Sequence, residues 1–105
     1  MAYRVRIDPV AQEHIDAFAS YLVAYSEEFA NEQMERLASV LSKDLSEAPL
    51  TWSYFPLTGA PYRAYLFRVE RYTQYWIVYK VDDEARTVDI LHFWNAMRDP
   101  ESFEV

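Results

Sequence analysis

Between residues 61 and 99 the chain breaks into three successive runs in which aromatic and β-branched residues alternate with polar ones. Residues 62–69 set Arg63, Tyr65 and Phe67 on one side against Tyr62, Ala64, Leu66 and Arg68 on the other. Residues 73–81 set Tyr75, Ile77, Tyr79 and Val81 against Trp76, Val78 and Lys80. Residues 87–94 set Val88, Ile90, His92 and Trp94 against Asp89, Leu91 and Phe93. A period of two is the mark of a β-strand, whose side chains point alternately to opposite faces. The connections, Glu70-Arg71 and the polar residues 82–86, are too short for a crossover, so the three strands form an antiparallel meander.

The chain ahead of this meander reads as its backing. Tyr3-Arg4-Val5-Arg6-Ile7 alternates apolar and basic residues, as a half-buried strand does, with Tyr3, Val5 and Ile7 toward the core. Asp8-Pro9 stops that strand and starts a helix, Asp as N-cap and Pro at the first helical position. Ala11, Ile15, Phe18, Leu22 and Tyr25 then recur at helical spacing and predict one buried stripe, with His14 between stripe and solvent. Ser26-Glu27-Glu28 reads as a new helix start, a capping hydroxyl followed by two carboxylates at the positive end of the helix dipole. Ala30, Met34, Leu37, Leu41 and Leu45 form the second stripe, and Ala48-Pro49 ends it. Residues 50–61 hold the only glycine and the aromatics Trp52, Tyr54 and Phe55, a loop expected to fold back over apolar surface. The expectation is a single domain over residues 1–105, β-α-α-β-β-β, an α+β fold whose antiparallel sheet carries the helical hairpin on one face.

Composition removes several classes of function. No cysteine is present, so disulfides, thiolate metal sites and a cysteine nucleophile are excluded. Two histidines without metal-ligand spacing give no expectation of a metal, and one glycine cannot build a phosphate-cradling loop; no cofactor is expected. The charged start MAYRVRIDP and the lack of a long apolar run predict a cytoplasmic protein without membrane association. Net charge is −7, which disfavours capture of nucleic acid by long-range attraction. The charge is uneven: residues 1–49 hold nine acidic and four basic residues, whereas residues 60–81 hold four basic and one acidic.

The order of strand, helical hairpin and three-strand meander resembles the RelE/ParE superfamily of bacterial toxins, in particular its ParE-like, plasmid-stabilisation branch. Four pieces carry the resemblance: Ile7-Asp8-Pro9-Val10-Ala11 opening the first helix, Pro61-Tyr62-Arg63 opening the second strand, Tyr75-Trp76-Ile77-Val78-Tyr79 as the third strand, and residues 88–100, VDILHFWNAMRDP, as the ending. Two positions depart from the family pattern. Trp76 stands where an arginine is usual, and Asn95 where a histidine is frequent.

The resemblance implies the toxin of a type II toxin–antitoxin module, one that inhibits growth by binding an essential target, DNA gyrase in most ParE-like members, and is silenced by a cognate antitoxin. Two alternatives stay open: a RelE-like, metal-independent endoribonuclease acting on ribosome-bound mRNA, and a non-toxic binding protein on the same fold. A metal-free ribonuclease needs cations for the phosphorane charge together with an acid and a base. Arg63 and Arg98 are the candidate cations, His92 the candidate proton carrier, Tyr65 a stacking or catalytic phenol, and Asp99 or Glu101 a base. Tyr75, Trp76, Tyr79, Phe93, Trp94 and Asn95 are the candidate surface for target or antitoxin. Each also has a plain structural reading: Arg98-Asp99 as an ion pair, His92 as a half-buried histidine, the tyrosines as packing. A homo-oligomer formed through the antitoxin complex also fits the resemblance.

Overall fold

The computed structural model describes residues 2–52, 54, 62–70 and 73–96. Strand β1 (Arg4–Ile7) leads into helix α1 (Pro9–Tyr25), helix α2 (Glu27–Ser39), and then strands β2 (Arg63–Glu70), β3 (Thr73–Asp82) and β4 (Thr87–Asn95). The expected α+β order is present. Both helix starts are fixed by the residues that predict them. Asp8 accepts from the Val10 amide with Pro9 at the first position, and the Ser26 hydroxyl accepts from the Phe29 amide at 3.2 Å. Beyond Ser39 the second helix relaxes into a π-turn, Val40–Asp44, and a last α-turn, Leu45–Glu47. This carries Leu45 into the core, where it is fully buried. No helix among the described residues is long and apolar enough to cross a membrane.

The four strands form one sheet in the order β1-β4-β3-β2. The meander is antiparallel, as its short turns require. The first strand instead lies parallel to β4, pairing Arg4 with Thr87 and Ile7 with Ile90, so the sheet is mixed. The two helices between β1 and the meander act as the long crossover that a parallel neighbour needs. The sheet's helix-facing side and the hairpin enclose the core: Ala11, Ile15, Phe18 and Leu22 from α1, Ala30 and Leu37 from α2, with Phe67, Ile77, Tyr79, Val88, Ile90 and Phe93 from the strands.

Three details depart from the sequence reading. Tyr25 is 76% exposed and Ile7 38% exposed, so the buried stripe of α1 ends at Leu22 and the inward alternation of β1 at Val5. In β4, Val78 pairs with His92 but Tyr79 pairs with Ile90, which leaves Leu91 as an extra residue in a β-bulge. The bulge reverses the alternation downstream. Phe93, not His92 or Trp94, therefore joins Val88 and Ile90 in the core.

Candidate partner-binding site

Two neighbouring surfaces gather the described candidate binding residues other than Tyr79. The first is the face of the sheet turned away from the helices. Residues directly opposite in an antiparallel ladder share a face, and the register places Leu66 beside Trp76 and Trp76 beside Trp94. The adjoining row is Ala64 and Val78; His92, the register partner of Val78, sits at the bulge, where its ring lies by His14 of α1. Ala64 and Val78 are buried, with Tyr62 and Trp76 packed against them. Charge sits at the two ends of this apolar centre. Arg68 opposes Gln74 at one end, and Lys80 opposes Asp89 at the other. Asp89 is held by Arg6 in a two-pronged ion pair of 2.7 and 3.1 Å.

The second surface is a cavity of about 450 Å³ between α1 and the ends of β3 and β4. His14, Phe18 and Tyr21 form its helical wall, and Tyr75, Phe93 and Asn95 its strand wall. Tyr75 and Phe93 stack at 4.5 Å with planes 11° apart, and Phe18 packs on both. Trp94 reaches this cavity as well and links the two surfaces. At the bulge, His92 lies 6.2 Å from His14, ring centre to ring centre. Burial holds the His92 imidazole below the usual histidine range, the neighbouring His14 adds to this, and Asp8 opposes it. The Nδ1 atom of His14 is buried with no hydrogen-bond partner among the described residues.

Among the described candidate catalytic residues, Arg63 and Tyr65 share one side of β2, and His92 lies apart from them on β4. Arg63 lies on the helix-facing side of β2, opposite Tyr79. Its guanidinium donates to the carbonyl of Trp52 at 2.7 Å and lies 4.5 Å from the centre of the Tyr54 ring. Tyr65 is on the same side, against the Trp52 ring, and its hydroxyl donates to Asp44 at 3.4 Å. Burial, then the Asp44 charge, raises its pKa. Tyr79 is fully buried and donates to the carbonyl of Pro49 at 2.6 Å, so a docking partner does not reach it. His92 is on β4, two strands from Arg63, a separation of about 10 Å by strand spacing alone. Arg98, Asp99 and Glu101 lie outside the described residues. Among the described residues, no three His, Asp or Glu side chains are close enough to hold a metal.

Of the candidate binding residues, Tyr75, Phe93, Trp94 and Asn95 come together at the cavity, with Trp76 on the adjoining face. The sequence reading missed the helical wall. Val10, His14, Ala17, Tyr21 and Tyr25 recur at i, i+4, i+7, i+11 and i+15, a second stripe beside the buried one. Val10 is 43%, Tyr21 69% and Tyr25 76% exposed. The signal was present in the spacing, but Tyr25 was assigned to the buried stripe.

A family model described as the ParE toxin of the type II toxin–antitoxin system, parDE, matches residues 5–100. The fold is similar to that in the crystal structure of the toxin–antitoxin complex RelBE2 from Mycobacterium tuberculosis. That likeness has a TM-score of 0.62 and 23% identity, over 90% of this chain and 99% of that chain. None of the curated proteins compared with the sequence matches it.

Proposed function

We propose a function from one premise: the chain belongs to the ParE toxin family of type II toxin–antitoxin systems. On that premise it inhibits growth in the cytoplasm by binding an essential target, DNA gyrase being the one expected of this family, and a cognate antitoxin neutralises it. The observation that supports binding over RNA cleavage is the row Leu66, Trp76 and Trp94 across the sheet face away from the helices. In-line attack by a ribose hydroxyl builds negative charge on phosphorus, and a metal-free site must meet it with cations. Here the centre of that face is aromatic and aliphatic, and Arg63 is engaged with Trp52 and Tyr54 on the other side. Tryptophan, which supplies two of the three residues in that row, is among the side chains enriched at protein–protein hot spots. The same surface, continued into the cavity by Trp94, is suited to the antitoxin.

Induced expression without antitoxin tests this reading. Growth arrest with accumulated gyrase–DNA breaks and intact mRNA is expected, and Trp76→Ala should relieve the arrest in a protein that still folds. Codon-phased cuts in mRNA, read by primer extension, would replace the reading with the ribonuclease. Unaffected growth would replace it with the non-toxic binding protein.

A further inference from the structure

The seam between α1 and β4 holds both histidines of the chain. His14 comes from the helix and His92 from the β-bulge, and their rings lie 6.2 Å apart with planes 28° apart. Around them the seam is held by Phe18 against Phe93, 5.1 Å between ring centres. At its start the Asp8 amide donates to the carbonyl of Ile90. Both imidazoles are half-buried, and Nδ1 of His14 is buried without a hydrogen-bond partner among the described residues.

What such a pair does depends on its protons. Two uncharged imidazoles can lie against each other, but two imidazolium ions repel, and in a half-buried seam solvent screens them poorly. An imidazolium also carries two N–H donors. On His14 one of them would sit at an atom with no acceptor, and a buried charged donor left unpaired is costly. Little offsets this cost. Among the described residues, the charged groups that act on His92 are His14 and, in the opposite sense, the Asp8 carboxylate between β1 and α1. That carboxylate already accepts from the Val10 amide. From β3 the register partner of His92 is the buried Val78. The residues one helical turn from His14 are Val10, Ala11, Ala17 and Phe18, and none carries a charge.

We propose that His14 and His92 form a proton-operated latch on this seam, closed while the imidazoles are uncharged and opened by acid, which lets water in between helix and strand. The route of release is built in. His14 also lines the cavity of about 450 Å³, beside the exposed Ala17 and Tyr21. Its ring turns toward that water-accessible side, while Ile15, Phe18 and Leu22 keep the helix on the core. The latch is independent of the toxin reading and is measured on the isolated chain.

Amide hydrogen exchange of the purified full chain, followed by mass spectrometry and corrected for the intrinsic effect of pH, tests it. Residues 10–18 and 91–95 should exchange at least about fivefold faster at pH 5.5 than at pH 7.5, by local opening of the seam. The β2–β3 ladder, residues 64–68 and 74–77, should not change. His14→Gln and His92→Gln should each remove the increase and leave exchange at pH 7.5 as it was. Asp8→Asn keeps a capping side chain but removes the carboxylate that favours the charged His92. The midpoint of opening should therefore move to lower pH. An equal increase in every element, no increase in α1, an increase that survives both histidine variants, or a midpoint that Asp8→Asn leaves in place or raises would overturn the proposal.

Discussion

Arg63 shows how much of a side chain's structural part is set by segments distant in sequence. With Tyr79 as its register partner, it gathers the backbone of residues 49–52: Tyr79 takes the Pro49 carbonyl, and Arg63 takes those of Trp52 and Leu50. A hydrogen bond from a charged donor contributes about 1.5–3 kcal/mol, and stacking on Tyr54 adds a smaller share at an exposed ring. Arg63→Ala is therefore expected to cost about 2 kcal/mol in urea denaturation. Combined with Tyr79→Phe, it should give a non-additive cycle, because both side chains hold the same segment. Sequence identifies Arg63 as a cation on a strand and no more. Which carbonyl it meets depends on where the chain after Pro49 travels, and no periodicity encodes that. Trp76 is the converse case. Its departure from the family's usual arginine was legible from residue identity alone, and its row with Leu66 and Trp94 needed only the register.

At the scale of elements, the starts of the helices were the most legible features, since a cap is a local event between residues two or three apart. Ser26→Ala should lower stability by about 1 kcal/mol, measured by thermal or urea unfolding, through loss of the bond to the Phe29 amide. The end of β4 was less legible. A bulge is one residue of surplus, and Leu91 differs in nothing from a regular strand leucine, so the exchange of Phe93 for His92 on the core side had no sequence signal. The bulge also sets His92 beside His14 and gives this element a pH dependence. The native imidazole of His92 is pushed below the unfolded value of about 6.5, so the unfolded chain takes up its proton first. Stability is unaffected by His92 well above pH 6.5 and falls as the pH drops from there through the depressed native value. Denaturation midpoints measured from pH 7.5 to 5 should show that decline, and His92→Gln should flatten it.

For the whole molecule, the layer order and hairpin placement were legible because amphipathic periods fix which faces must be buried. The parallel seat of the first strand was not, since short-range pattern says nothing about which edge a distant strand joins. That seat joins residues more than eighty positions apart, Arg4 with Thr87 and Ile7 with Ile90. The amide of Asp8, the cap of α1, also donates to the carbonyl of Ile90. A chain cut before Thr87 therefore lacks the strand on which β1, β3 and α1 all rest. Such a fragment is expected to show no cooperative melting and no sheet signal in circular dichroism. Contacts this remote along the chain also slow folding. A ribosome must finish β4 before the nascent polypeptide can close, and on the toxin reading nothing short of the completed product can do harm. The interval between initiation and release is then a built-in delay, time in which a co-expressed neutraliser can already be waiting.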